Sequence, residues 1–128
     1  MVIVIVDDDS DDLQLFCEAV ELVDDKIECI PLDSGQALIG FLLSHKDAPP
    51  HFIFIDQVMP AMSGLDCVKY IREDRSFDDV QIVAYSTLVN PDNIPILERL
   101  NSSLLIKPTS FQDLVNNLKA LLQPDQAS

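Results

Sequence analysis

The fold of this chain is decided by the stretch FIFIDQVMPAMSG at residues 52–64. Its four consecutive apolar residues, Phe52–Ile55, predict a β-strand that is buried on both faces, as in a parallel sheet. Asp56 follows this strand directly, and a Met-Pro turn and Gly64 then lead into a helix. Open α/β sheets bind ligands at the carboxyl ends of their strands, so Asp56 is a candidate site residue. Taken alone, an aspartate at this place is more typical of a residue that caps a turn.

Composition sets the class of protein and excludes several functions. The chain has 128 residues, enough for one domain with a real core, and 48% of them are apolar. It carries 22 acidic against 8 basic residues, a formal charge of −14. Because such a chain repels phosphate backbones and anionic lipids, we expect no binding to nucleic acid or membranes. The expected partner is a cation or a protein with a basic or apolar docking surface.

The cysteines and the amino-terminal residues favour a cytoplasmic protein. Cys17, Cys29 and Cys67 show no metal-ligand spacing and lie among apolar residues, which favours buried, reduced thiols. The apolar run Val2–Val6 is too short for a signal peptide. No apolar run in the sequence approaches the length of a membrane span.

Apolar periodicity predicts five strands that alternate with five helices. The strands are expected at Val2–Val6, Ile27–Ile30, Phe52–Ile55, Val80–Tyr85 and Ser103–Ile106. The helices that follow them are expected to end near Val23, Leu42, Glu73, Leu100 and Leu122. This alternation predicts one α/β domain over residues 1–123, with a parallel sheet covered on both faces. Residues 124–128 are expected to form a disordered tail.

The fourth helix is expected to be irregular. Asn90-Pro91 has the residue types of a helix start, but Pro95 removes a backbone donor one turn later. The regular part is therefore predicted to begin only near Asn93 and to be short.

Polar side chains follow four of the five predicted strands. They are Asp7, Asp8 and Asp9 after the first, Asp56 after the third, Ser86 and Thr87 after the fourth, and Lys107 after the fifth. In a parallel sheet these positions lie along one edge, so the side chains can converge. Clustered carboxylates must be protonated, solvated or neutralised by a cation, and oxygen-only ligands suit Mg²⁺. Three carboxylates with one Mg²⁺ and one Lys⁺ come close to charge balance.

This set of groups is equipped for phosphoryl transfer. An aspartate beside Mg²⁺ can attack phosphorus and form an acyl phosphate. Mg²⁺, Lys107 and the Ser86 hydroxyl would hold the equatorial oxygens. Each feature alone has a commoner structural explanation, as a solvated helix start, a turn or a loop dipeptide. Their occurrence at the ends of different strands indicates a common site.

From Val2 to about Leu122, the chain resembles the receiver domains of two-component response regulators. The resemblance is carried by VIVDDD at residues 4–9, IDQVMPAMSG at 55–64, YST at 85–87 and IKP at 106–108. The spacing also matches, with 30 residues from Asp56 to Ser86 and 21 from Ser86 to Lys107. The resemblance implies a flavodoxin-like, doubly wound, five-stranded parallel sheet of order 2-1-3-4-5 with five helices.

The resemblance also implies roles for individual residues. Asp56 would accept the phosphoryl group, and Asp8, Asp56 and the Val58 carbonyl would bind Mg²⁺ directly. Asp7 would act on the same ion largely through water. The implied phosphoryl-binding and switch positions are Ser86, Thr87, Lys107 and Leu104.

The implied function is signalling rather than enzymatic turnover. A sensor histidine kinase or phosphotransfer protein would supply the phosphoryl group. A two-state change at the fourth helix, fifth strand and fifth helix would then be read by a downstream protein. Because no output domain follows Leu122, we expect a stand-alone receiver.

The sequence departs from the family pattern at two places. Three residues before the lysine the family usually has Tyr or Phe, whereas this chain has Leu104. Val58 and Leu88, two residues after the acceptor and the hydroxyl, cannot orient an attacking water by hydrogen bonding. We therefore expect slow self-dephosphorylation.

Three alternatives remain open from the residues alone. Asp7-Asp8-Asp9 contains the Asp-x-Asp pattern of Mg²⁺-dependent haloacid dehalogenase-type phosphohydrolases, although no cap domain accompanies it. A pseudo-receiver would bind partners without phosphorylation. Leu104 fits this alternative, but the presence of Asp8, Asp56, Ser86 and Lys107 argues against it. A flavin-binding protein is disfavoured, because an acid-rich strand end repels phosphate.

Overall fold

The structure is a computed structural model that describes residues 1–123, so the predicted tail at 124–128 lies outside the described residues. The strands are β1 (Val2–Val6), β2 (Glu28–Leu32), β3 (Phe52–Ile55), β4 (Gln81–Ser86) and β5 (Ser102–Ile106). The helices are α1 (Ser10–Val23), α2 (Gly35–Ser44), α3 (Gly64–Arg72), α4 (Ile94–Arg99) and α5 (Phe111–Leu122). Two 3₁₀ turns, Arg75–Phe77 and Pro91–Asn93, precede β4 and α4.

The described strands form one parallel sheet in the order β2-β1-β3-β4-β5. The predicted α/β fold and its strand order 2-1-3-4-5 are confirmed. β1 and β3 are neighbours, with Val6 opposite Ile55. From β1 the chain crosses to β2 on one side of the sheet, and from β3 it crosses to β4 on the other side, so the carboxyl ends of β1 and β3 form the topological switch point. Asp7 and Asp56, the next residues after these strands, are thereby brought side by side.

Apolar layers cover the sheet on both faces, as the continuous apolar strands predict. On one face, α1 and α5 pack through a cluster that includes Ile5, Phe16, Phe54 and Leu118. On the other face, α2, α3 and α4 pack against the alternate strand residues, such as Val6 and Ile55. Both layers bury residues of β1 and β3 completely, so the strand ends that carry Asp7 and Asp56 are rigidly held.

The second strand differs from its prediction. The sequence places it at Ile27–Ile30 and uses Pro31 as the start of a turn, but β2 continues through Pro31 to Leu32. β2 pairs with β1 alone and forms an edge of the sheet, where a proline without an N–H group is tolerated. The extension has a consequence for the site, because the backbone N–H of Asp7 donates to the Leu32 carbonyl at 3.1 Å.

The fourth helix follows its prediction. The regular part spans Ile94–Arg99, with Pro95 in its first turn and a 3₁₀ turn before it. A proline is accepted in a first turn because its missing N–H would lack an intrahelical partner there. The short helix buries Leu97 against the sheet.

Gly64 begins α3 directly below the loop that carries Asp56. A Cβ atom at this position would lie 2.7 Å from the Cα of Gln57 and also against the Asp56 carbonyl. The Gly64 N–H donates to the Gln57 carbonyl at 3.3 Å, and Ser63 caps the helix in a capping box with Asp66. The glycine is therefore required by close packing of the helix start on the loop that carries Asp56.

The cysteines correct one expectation. Cys67 is buried as predicted, but Cys17 and Cys29 are only half-buried, although all three are free thiols. Within residues 1–123, none of the helices has the length and apolar character needed to cross a membrane.

Candidate functional site

Four strand ends supply the polar residues of one cluster. Backbone hydrogen bonds continue the sheet ladder just past the strands, from Asp56 N–H to the Val6 carbonyl at 2.9 Å and from Lys107 N–H to the Ser86 carbonyl at 3.0 Å. These hydrogen bonds fix the backbone positions of Asp56 and Lys107, from which the two side chains extend into the cluster. The convergence expected for Asp7, Asp56, Ser86 and Lys107 is observed.

Three carboxylates of this cluster approach one another closely. Oxygen atoms of Asp7, Asp8 and Asp56 all lie within 4.8 Å of each other. Asp7 and Asp56 are buried, whereas Asp8 is exposed at the rim. An arrangement of oxygen ligands that is open to solvent on one side fits a hard divalent cation that keeps some of its waters.

Asp9 does not join this cluster. Its side chain is the amino-terminal cap of α1 and accepts hydrogen bonds from the backbone N–H groups of Asp11 and Asp12 at 2.9 and 3.3 Å. The Asp9 N–H in turn donates to a carboxylate oxygen of Asp7 at 3.0 Å. Of the three consecutive aspartates, Asp9 therefore caps α1, whereas Asp7 and Asp8 belong to the carboxylate cluster.

Burial raises the pKa of Asp7. The opposing influences are smaller and come from the hydrogen bonds of Lys107 and the Asp9 N–H, which lower the pKa. The nearby Asp56 carboxylate raises it further. The buried acid is thus held at an energetic cost that a cation would reduce.

Lys107 is the cationic centre of the site. Its ammonium lies 2.6 Å from Asp7, 2.9 Å from Asp12 and 3.7 Å from Asp56. Burial lowers the pKa of Lys107, but the hydrogen bonds to Asp7 and Asp12 outweigh this effect, so the pKa is raised overall. The amine stays charged, and its ammonium lies 5.4 Å from the centre of the Tyr85 ring.

The Asp56 carboxylate is polarised by its own loop and by β4. Its Oδ1 atom accepts from the Val58 N–H at 3.2 Å and lies 3.2 Å from the Ser86 hydroxyl. The same hydroxyl can donate to the Leu88 carbonyl at 2.9 Å, so its single proton has two acceptors. The Oδ2 atom faces the ammonium of Lys107.

The remaining predicted positions lie around the cluster rather than within it. Thr87 is exposed one residue beyond Ser86. Leu104 lies on β5 opposite Ala84 and is 39% exposed. The side chains of Val58 and Leu88 are 69% and 77% exposed and offer no polar group to the site.

Two residues of the site were not identified from the sequence. The sequence pattern does not mark Asp12 as a site residue, yet Asp12 forms an ion pair with Lys107. Its place in the third position of α1, where a side chain reaches back past the helix start, was the available signal. Tyr85 gave no signal except its place next to Ser86.

Comparisons with known proteins agree with this geometry. A family model described as the response regulator receiver domain matches residues 3–119, so the chain belongs to the response regulator receiver family. It is 28% identical over 122 residues to the phosphate regulon transcriptional regulatory protein PhoB of Pseudomonas aeruginosa, which covers 94% of this chain and 51% of PhoB. It is 26% identical over 121 residues to stress response regulator protein 1 of Candida dubliniensis, covering 87% and 41% of the two chains.

The chain thus spans about half the length of these curated relatives. Among solved structures, the phosphorylated cyanobacterial phytochrome response regulator RcpA superposes with a TM-score of 0.83 at 22% identity, covering 96% of this chain and 94% of RcpA. The Mn²⁺-bound form of response regulator Rcp1 gives a TM-score of 0.81 at 24% identity, with coverage of 94% and 93%. These two likenesses support the fold.

Proposed function

We propose that this chain accepts a phosphoryl group on Asp56 from a sensor histidine kinase or a phosphotransfer protein and signals by contact with a downstream protein. One observation carries the proposal. The buried Asp56 carboxylate lies between the Ser86 hydroxyl at 3.2 Å and the Lys107 ammonium at 3.7 Å. Membership of the receiver family supports the same function.

The transfer would begin at one particular oxygen of Asp56. Oδ1 already accepts the Val58 N–H and is within reach of the Ser86 hydroxyl, which leaves Oδ2 as the nucleophile. Oδ2 attacks phosphorus, the phosphorus–nitrogen bond to the donor histidine breaks, and the imidazole keeps the electron pair. Lys107 and Ser86 then contact the phosphoryl oxygens and stabilise their charge.

The acidic cluster is suited to Mg²⁺ as the cofactor. We propose that Asp8, Asp56 and the Val58 carbonyl bind the ion directly and that Asp7 acts through water. When bound, Mg²⁺ would neutralise the carboxylates and the transferred phosphoryl oxygens. The close approach of the three carboxylate side chains supports this assignment.

The output is proposed to arise at β5 and the helices beside it. Thr87 is exposed just past the end of β4, and Leu104 and Ile106 are exposed on β5. Phosphorylation would shift an equilibrium between two arrangements of this region, which a protein effector distinguishes. Leu104 has no ring hydroxyl, so the shift relies on packing rather than on a hydrogen bond.

The proposal includes a cytoplasmic location, supported by the three free cysteines.

The test is phosphorylation by a small donor. Purified protein is incubated with acetyl phosphate, with and without Mg²⁺, and its intact mass is measured. We expect one base-labile phosphoryl adduct that requires Mg²⁺ and is lost in Asp56→Asn. Asp8→Asn should reduce the yield at low Mg²⁺, and Asp47→Asn, which removes an exposed acid outside the site, should react like the parent.

Other outcomes distinguish the alternative functions. An adduct that persists in Asp56→Asn but disappears in Asp7→Asn would favour a hydrolase that uses the first-strand aspartate. Turnover of p-nitrophenyl phosphate would favour the same alternative, and we expect none. If no adduct forms, and if acetyl phosphate and Asp56→Asn both leave binding to partner proteins unchanged, a pseudo-receiver would be favoured.

A further inference from the structure

Two thiols outside the phosphorylation site lie in unusually close contact. The Sγ atoms of Cys17 on α1 and Cys29 on β2 are 2.9 Å apart. Unbonded heavy atoms pack best at roughly 3.5–4.0 Å, and a disulfide bond is about 2.0 Å long. A relative shift of about 0.9 Å therefore brings the two sulfurs from 2.9 Å to bonding distance. We propose that Cys17 and Cys29 are a redox modification site, which small disulfides convert into an intramolecular disulfide.

Solvent can reach the pair through Cys17. This residue is half-buried and lines a surface cleft of about 400 Å³ together with Leu13, Gln14 and Pro31. A cleft of this size admits a small organic molecule. Cys67, by contrast, is a buried residue of α3 that is only 1% exposed, so it is not available to the same reagent.

The two thiols have different chemical roles. The hydrogen bond between the two thiols lowers the pKa of Cys17, although burial opposes this effect. The same hydrogen bond, followed by burial, raises the pKa of Cys29. Because the thiolate is the nucleophile in thiol–disulfide exchange, Cys17 attacks first and Cys29 resolves the product.

The formation of the Cys17–Cys29 bond needs no oxidant other than a small disulfide from solution, called here the external disulfide. The Cys17 thiolate attacks one sulfur of that disulfide, the external sulfur–sulfur bond breaks, and a thiolate leaves and takes a proton from solvent. Cys29 then loses its proton and attacks the Cys17 sulfur, which releases the second external thiolate. Two protein thiols are oxidised by two electrons, and one small disulfide is reduced to two thiols.

The bond would fasten an edge of the sheet. β2 pairs with β1 alone, and Cys29 lies opposite Ile3 in that pairing. A link to Cys17 joins this edge strand to the middle of α1. The acids Glu18 and Glu21 also line the cleft, so a neutral disulfide is a better reagent than an anionic one.

The proposal is tested on the reduced full chain with 2-hydroxyethyl disulfide, which is neutral. After acid quenching and alkylation, intact mass and peptide mapping should show the loss of two hydrogens and a link between Cys17 and Cys29. Intramolecular resolution should make this product at least about tenfold more abundant than mixed disulfides. Cys67→Ser should behave like the parent, because Cys67 takes no part.

Variants separate the two roles. Cys29→Ser should stop at a mixed disulfide on Cys17, and Cys17→Ser should react at least about tenfold more slowly than Cys29→Ser. Mixed adducts on both cysteines of the parent without a link between them would overturn the proposal. A link that involves Cys67, or that forms only after unfolding in urea, would overturn it as well.

Discussion

The ammonium of Lys107 lies 2.9 Å from the carboxylate of Asp12, which is closer than its 3.7 Å distance to Asp56. Asp12 belongs to the first turn of α1, and with Asp7 it holds the lysine toward the β1–α1 side of the site. A phosphoryl group on Asp56 would have to compete with these carboxylates for the same cation. The ion pair of Asp12 would therefore oppose the proposed phosphorylated state.

Removing this competition should favour phosphorylation. We expect Asp12→Asn to raise the phosphorylated fraction at a fixed acetyl phosphate concentration by about twofold to fivefold, the range of a partly exposed ion pair. The fraction is measured by intact mass at several acetyl phosphate concentrations. Asp11→Asn removes an exposed acid from the same turn and should leave the fraction unchanged. An equal effect of both substitutions would attribute the gain to overall charge instead.

The raised pKa of Asp7 predicts how stability depends on pH. Because burial raises this pKa in the folded state, the unfolded chain loses its proton first as pH rises. Below the ordinary carboxyl pKa, Asp7 therefore does not lower the free energy of unfolding. Above the raised pKa, it lowers that free energy by the full amount. Without divalent cations, Asp7→Asn should be more stable than the parent at neutral pH, and the difference should vanish in acid. Urea unfolding at a series of pH values measures this, and a difference independent of pH would contradict it.

The exposed apolar side chains beside Asp56, the proposed acceptor, predict a long-lived phosphoryl group. The side chains of Val58 and Leu88 carry no hydrogen-bonding group to position an attacking water. The double substitution of Val58→Asn and Leu88→Glu should speed the loss of phosphate on the order of tenfold by orienting that water. The decay of the phosphorylated protein is followed by intact mass after the donor is removed. Val58→Ala with Leu88→Ala serves as the control, because equal acceleration there would indicate that apolar shielding alone protects the phosphate.

Ala61 adopts a backbone conformation that suits glycine. Its φ is 66°, in the left-handed region, where a Cβ atom is unfavourable. We expect Ala61→Gly to increase the free energy of unfolding by about 1 kcal/mol, measured by urea denaturation. Asn101, with a φ of 55°, provides the comparison. Since Asn tolerates this region, Asn101→Gly should increase the free energy of unfolding by less than Ala61→Gly does. A larger increase for Asn101→Gly would argue against backbone strain as the cause.

Two glycines of the chain should respond in opposite ways to alanine. Gly64→Ala would press a methyl group against the Asp56–Gln57 backbone and should cost about 1–3 kcal/mol of stability, as overpacking does. Within residues 1–123, no atom outside the adjacent backbone of α2 and the two neighbouring residues lies within 4 Å of a Cβ atom added at Gly40. Gly40→Ala should therefore gain up to about 1 kcal/mol from helix propensity. Because the backbone of the loop that carries Asp56 must move in Gly64→Ala, phosphorylation of this variant by acetyl phosphate should also be slower.

The sequence alone determined the architecture and most of the site. Strands buried on both faces must be continuously apolar, so β1 and β3 were visible as unbroken apolar runs. Parallel strands present their carboxyl ends along one edge, so the polar residues that follow them could be placed in one site. Even the short fourth helix was predictable, because the backbone constraint of Pro95 is local.

Tertiary structure decided the features that depend on distant partners. The pairing of Lys107 with Asp12 joins residues 95 positions apart, and the place of Asp12 in the first turn of α1 does not by itself identify a lysine between β5 and α5 as its partner. Cys17 and Cys29 meet only because α1 packs on β2. β2 could include Pro31 only because it became an edge strand. Side-chain pairing across elements is set by packing rather than by periodicity, so it required the folded structure.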